Sequence, residues 1–137
     1  MRDKLNFMEQ NDSTNIDIYQ IDYTKIEYNL ETTEELSDVF TQKIEKIKYN
    51  LNRAIEKRES RTTYFINQDI ERFLQCASLF LENWQNSLKK RSGLADDISI
   101  EIEKNSIRLF EESLNSFHQY VKACNQLIRE IIHFRGI

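Results

Sequence analysis

Apolar residues recur along most of this chain at helical spacing. Leu36, Phe40, Ile44, Ile47, Leu51 and Ile55 follow one another at steps of 4, 4, 3, 4 and 4, one face of a helix over about residues 33–59. Thr32-Thr33-Glu34-Glu35 opens it: Thr32 is placed to accept from the N3 amide while Glu35 reaches back, and the acids complement the helix dipole. A second stripe, Ile66, Ile70, Phe73, Ala77, Phe80, Trp84 and Leu88, widened by Leu74 and Leu81, predicts a helix over 62–91. Its end is marked by cations and glycine, Lys89-Lys90-Arg91-Ser92-Gly93. Between the two stripes Ser60-Arg61-Thr62-Thr63 is a weak break without Gly or Pro, so a turn there competes with one continuous helix from 33 to 91.

The clearest pattern comes last. Ile107, Leu114, Val121 and Ile128 form one seven-residue series, and Phe110, Phe117, Cys124 and Ile131 form another. Their 3-4 alternation predicts knobs-into-holes packing of near-antiparallel helices. With Asp96 or Asp97 as cap, this helix covers 97–134, about 57 Å, against about 45 Å for the second. Leu127, Ile132 and Phe134 widen its apolar face near the end, which helix one, the N-terminal segment or a second copy must cover.

The N-terminal segment obeys a different period. Ile16, Ile18, Ile21, Tyr23, Ile26, Tyr28 and Leu30 alternate with polar residues in short stretches that slip phase, which reads as an extended arm or short strand. A lone strand is unstable, so the arm must lie on the bundle, pair with another chain or stay mobile. Its first 15 residues are expected to be disordered. The expected architecture is all-α: an acidic arm over 1–31, then three long helices over 32–137 in an antiparallel bundle or coiled-coil arrangement.

Composition narrows the functional classes. The chain has 137 residues, no proline and two glycines, Gly93 and Gly136. It therefore lacks the punctuation that Rossmann turns, P-loops and nucleophile elbows need. There is no apolar leader at the N-terminus and no run approaching a membrane span, so a cytoplasmic protein with no membrane partner is expected. Cys76 and Cys124 fall about 20 Å apart along an antiparallel helix pair, too far for a bridge, and are expected to be reduced core thiols.

No constellation suggests catalysis, a metal or a cofactor. Glu130 and His133 form one Glu-x-x-His step, but di-iron bundles need two. Two isolated cysteines and two histidines have no zinc spacing. Cys124 sits at a core heptad position, and the adjacent acids Asp96-Asp97 and Glu111-Glu112 point about 100° apart on a helix. The expectation is a protein that is not an enzyme.

Charge is uneven beneath a net of −4. Residues 1–41 carry ten acids and three bases, while 42–61 carry seven bases and three acids. Lys43, Lys46, Arg53 and Lys57 fall on one flank of helix one, with Glu45, Glu56 and Glu59 on the other. One account is a solvated or salt-bridging flank. The other is a phosphate-binding stripe, extended by Arg61 and Lys89–Arg91, although no exposed aromatics interleave with it in the sequence.

Tyr19, Tyr23 and Tyr28 give the arm the composition of a docking strand, for a partner or for its own bundle. The leading expectation is a protein–protein interaction module, an adaptor or assembly subunit. It would use Tyr19, Tyr23 and Tyr28 of the arm and Leu127, Ile131, Ile132 and Phe134 of helix three to hold a protein partner or a second copy. The alternative is a small nucleic-acid-associated subunit using Lys43, Lys46, Arg53, Lys57 and Arg61.

Overall fold

The computed structural model describes residues 16–93 and 97–135, with the side chains of residues 60, 97, 134 and 135 left undescribed. Three helices pack on one another: α1 over Leu30–Glu56, α2 over Ser60–Arg91 and α3 over Asp97–Arg135. The described residues contain no strand. Adjacent helices are antiparallel. Phe40 meets Phe110 and, further along both helices, Lys48 meets Tyr120, so α1 and α3 run in the same direction.

Aromatic side chains fill the centre. Phe40 of α1 stacks on Phe80 of α2 at 5.2 Å and stands edge-on to Phe110 of α3 at 5.7 Å. Phe73 meets Phe117 edge-on at 5.5 Å, and Phe80 carries Trp84 at 5.3 Å. These offset and T-shaped pairs add to the burial of large apolar area, the main driving force for the bundle. The 3-4 stripes anticipated this core: Leu36, Phe40, Ile44, Ile47, Leu51, Ile70, Phe73, Ala77, Phe80, Trp84, Phe110 and Phe117 are all buried.

Three boundaries differ from the sequence pattern. α1 starts at Leu30, not at a Thr32 cap. Asn29 is extended and its side-chain oxygen accepts from the Thr32 amide at 2.9 Å. Asparagine is the better cap, and Thr32 and Thr33 are buried inside the first turn, where the Thr33 hydroxyl donates to the Asn29 carbonyl.

The α1–α2 break lies at Lys57–Glu59, upstream of Ser60-Arg61-Thr62-Thr63, which form the first turn of α2. The Arg58 amide donates to the Ile55 carbonyl and the Glu59 amide to the Ala54 carbonyl. These are the two bonds of a Schellman turn, whose key residue must be left-handed. Arg58 takes that conformation, with φ 56°, in a place where glycine is usual.

The arm is not a strand. Ile18–Gln20 form a 3-10 turn whose cap, Asp17, accepts from the Tyr19 amide. Five residues on, Asp22 accepts from both the amide and the hydroxyl of Thr24. Each aspartate offers the backbone a local partner in place of a neighbouring strand. The alternating pattern survives because the arm lies on α2 and the start of α1, turning Ile18, Tyr23 and Tyr28 inward. The expectation of disorder for residues 1–15, and Asp96 as a cap, lie outside the described residues.

Candidate functional site

The most elaborate polar group in the bundle lies at the α2–α3 end. Glu103 is 2% exposed, yet its carboxylate is fully engaged. Arg91 grips it with two 2.9 Å bonds, Nη1 to Oε2 and Nη2 to Oε1, and Trp84 Nε1–H donates to Oε1 at 3.1 Å. Burial works to raise this carboxyl, but the hydrogen bonds from Arg91 and Trp84 outweigh it and hold the group below the usual carboxylate range. Every acceptor faces a donor from the chain's own core, so the group ties α2 to α3. Arg91 is thereby withdrawn from the basic stripe that Lys89–Arg91 would extend. Sequence reasoning passed over Glu103, although it sits seven residues before Phe110 on one of the two heptad series.

The arm tyrosines are also engaged internally. Tyr23 donates to the Ile18 carbonyl and Tyr28 to the Tyr23 carbonyl, each at 2.7 Å. Their rings pack on Phe40 and Phe80. Tyr19 is half-buried, with its hydroxyl on Asp69 and its ring between the Arg72 guanidinium at 4.3 Å and the Lys43 ammonium at 5.7 Å. Lys43 completes the group with a 3.5 Å ion pair to Asp69. A partner could reach Tyr23 and Tyr28 only after the arm left the bundle. Cys76, part-buried, and Cys124, buried, are free thiols held above the usual range by burial.

Two faces stay open. The first runs along α3. Of the residues expected there, Leu127 and Ile132 are about half exposed and Ile131 is part-buried, while the Phe134 side chain lies outside the described residues. Leu127 belongs to a longer row: Ile102, Ser106, Leu109, Ser113, Ser116, Tyr120, Ala123 and Leu127 recur at steps of 4, 3, 4, 3, 4, 3 and 4. This second heptad seam is inconspicuous in the sequence because half of its positions are serine or alanine, which no hydrophobic count weights. None of its positions is charged in a chain that is 31% charged. Ile102 is 43% and Leu109 51% exposed, while Ser106, Ser113 and Tyr120 are part-buried on the α1 side, the Tyr120 hydroxyl donating to the Lys48 carbonyl. A cavity of about 490 Å³ opens between Leu109 and the α1 residues Glu34, Ser37, Asp38 and Thr41.

The second face lies where α1 turns into α2. Lys43, Lys46, Asn50, Arg53 and Lys57 follow one another at steps of 3, 4, 3 and 4 on the α2 side of α1. Among the described residues, Lys43 alone of these cations is in an ion pair. Among the described residues Lys46, Lys57, Arg58 and Arg61 meet no carboxylate, and Arg53 donates only to the Tyr49 hydroxyl, at 3.2 Å. The salt-bridging account of this flank therefore covers one residue of the stripe. Exposed rings, which the sequence pattern does not reveal, stand here too: Tyr49 is 62% and Phe65 55% exposed.

Among the described residues no three His, Cys, Asp or Glu side chains cluster to hold a metal, and no helix is long and apolar enough to cross a membrane. Compared with known proteins, the chain matches no family model, no curated protein and no solved structure.

Proposed function

We propose that this protein is a non-enzymatic interaction module that assembles through the open flank of α3, and that the occupant of that flank is a second copy of the chain. The observation behind this reading is the uncharged seam from Ile102 to Leu127. Its central pair, Ser113 and Ser116, is small, and outward from it large residues alternate with small ones to Ile102 and Leu127. Laid antiparallel on itself about a twofold between Ser113 and Ser116, the seam sets Ile102 against Leu127 of the second copy and Leu109 against Tyr120. Ser113 then meets Ser116, and Ser106 meets Ala123. Small central residues let two backbones approach, and a surface that matches itself under a twofold is what an isologous dimer needs.

Sedimentation equilibrium on the full chain tests the reading. A mass twice 16.5 kDa is expected, reduced to one chain by Leu109→Asp with helicity unchanged. The register has its own check. Ser113→Cys and Ser116→Cys proteins, mixed and oxidised, should cross-link 113 to 116 in preference to either pairing with itself. A monomeric wild type, or a dimer indifferent to Leu109→Asp, overturns the proposal.

A further inference from the structure

The open face at the α1–α2 turn carries a different chemistry from the α3 seam, and we infer that it binds single-stranded nucleic acid. Three observations converge there. The cations are unpartnered: Lys46, Lys57 and Arg61 are exposed and meet no carboxylate among the described residues. Elsewhere on the bundle exposed cations pair along their own helix, as Lys48 does with Glu45 and Arg108 with Glu112.

One ring stands among those cations and a second is on the facing helix. Tyr49 is three residues after Lys46 and four before Arg53, so the three share a side of α1, and the Arg53 guanidinium is bonded to the Tyr49 hydroxyl. Phe65 is one turn before Asp69 and two before Arg72, the α2 residues that face Lys43 and Tyr19 across the seam. Phe65 therefore shares the side of α2 that carries those residues, with its ring edge-on to Tyr64 at 5.6 Å. A half-exposed phenylalanine and tyrosine flanking a row of free cations offer π-faces for bases beside positive charge for phosphates, the combination that holds single strands without reading sequence. A duplex keeps its bases stacked inside and has no use for the rings.

The third observation is shape. A cavity of about 290 Å³ opens between Asn50, Arg53 and Lys57 of α1, Glu59 of the turn, and Thr62 and Ile66 of α2. It puts the Asn50 amide next to two cations at the end of the stripe, while the Thr62 hydroxyl donates to the Glu59 carboxylate at 3.0 Å. From Lys46 to Lys57 the stripe is about 17 Å long at 1.5 Å per residue, a groove along which a strand's backbone can run. The arm occupies the other half of the seam as far as Tyr19, so the described chain leaves this half open.

Fluorescence anisotropy of the full-length protein with labelled oligo-dT and oligo-U, measured between about 50 and 200 mM salt, tests the inference. Binding that weakens steeply with salt is expected. Lys46→Glu with Arg53→Glu should weaken it at least tenfold and flatten the salt slope, by about 0.7 for each phosphate no longer neutralised. Tyr49→Ala with Phe65→Ala should weaken it about tenfold while leaving the slope unchanged, because stacking releases no counterions. All four residues are exposed, and circular dichroism confirms that the variants fold. No binding at low salt overturns the inference. So does equal binding of duplex DNA, heparin or anionic phospholipid vesicles with no loss in the ring variants, since that would mark a nonspecific basic surface.

Discussion

Arg91 closes on both carboxylate oxygens of Glu103, and Glu103 is almost wholly out of water. A buried pair of this kind adds little over a well-packed apolar pair, yet breaking it by removing one partner leaves an uncompensated charge in the core. Arg91→Ala should therefore cost about 3–5 kcal/mol in urea unfolding at neutral pH. The pH dependence follows from the sign of the shift. The Glu103 carboxyl is depressed in the folded state, so its stabilisation is present above the ordinary carboxylate range, near pH 4.3, and is lost as pH falls through the lowered value. Without Arg91 burial dominates and favours the neutral acid. The stability gap between wild type and Arg91→Ala should narrow as pH is lowered from 7 to 4, and a constant gap would show that Glu103 is not the group responsible.

Arg58 holds the left-handed position of the α1–α2 turn at a conformational cost of about 1–2 kcal/mol for a residue with a Cβ. Glycine removes that cost but loses more backbone entropy on folding, about 0.5–1 kcal/mol. Arg58→Gly should accordingly stabilise the protein by about 0.5–1 kcal/mol, read as a higher urea midpoint at unchanged slope. Arg58→Ala keeps the Cβ and should give no such gain. Destabilisation by glycine would mean that the Arg58 side chain makes an interaction worth more than the strain.

Much of the bundle was legible because helical periodicity depends on burial, and burial dominates stability here. The stripe from Leu36 to Ile55 and the two heptad series of α3 mark helices that exist and faces that are buried. Boundaries were less legible, since they turn on local competition: Asn29 outranks Thr32 as a cap, and Arg58 ends a helix with no glycine to signal it. The arm misled because a period of two also arises when Asx turns swing alternate side chains inward. The candidate surfaces were half visible. The basic stripe could be read from spacing alone, but the exposure of Tyr49 and Phe65 could not, because an aromatic beside a core stripe is ordinarily counted as core. The α3 seam stayed hidden behind its serines.

Tyr23 and Tyr28 fix the arm through a repeated device, each hydroxyl donating to the backbone carbonyl five residues before it. Burial holds both hydroxyls well above the usual tyrosine range. Their folded values are raised, so the stabilisation is complete below about pH 10 and is lost as pH rises toward the folded values. Tyr23→Phe leaves a buried carbonyl unpaired and should cost about 1–3 kcal/mol. If the arm is a separate cooperative unit, hydrogen exchange will speed up at residues 18–28 and leave α3 protected. Uniform loss of protection would instead make the arm part of the global folding unit.

Phe80 is the meeting point of all three helices and the arm: its ring meets Tyr23, Tyr28, Phe40, Trp84 and Phe110. Its truncation removes both transfer energy and the partners' packing, and no neighbour can collapse into the gap without breaking its own ring pairs. Phe80→Ala should cost about 3–5 kcal/mol, toward the upper end because the site is rigid. Phe65→Ala, a ring of the same size on the same helix but 55% exposed, should stay within about 0.5 kcal/mol of wild type. That contrast separates the two roles assigned to aromatics in this chain. If Phe65→Ala destabilises as Phe80→Ala does, Phe65 is a packing residue, and the open surface at the α1–α2 turn loses one of the rings on which its proposed ligand would stack.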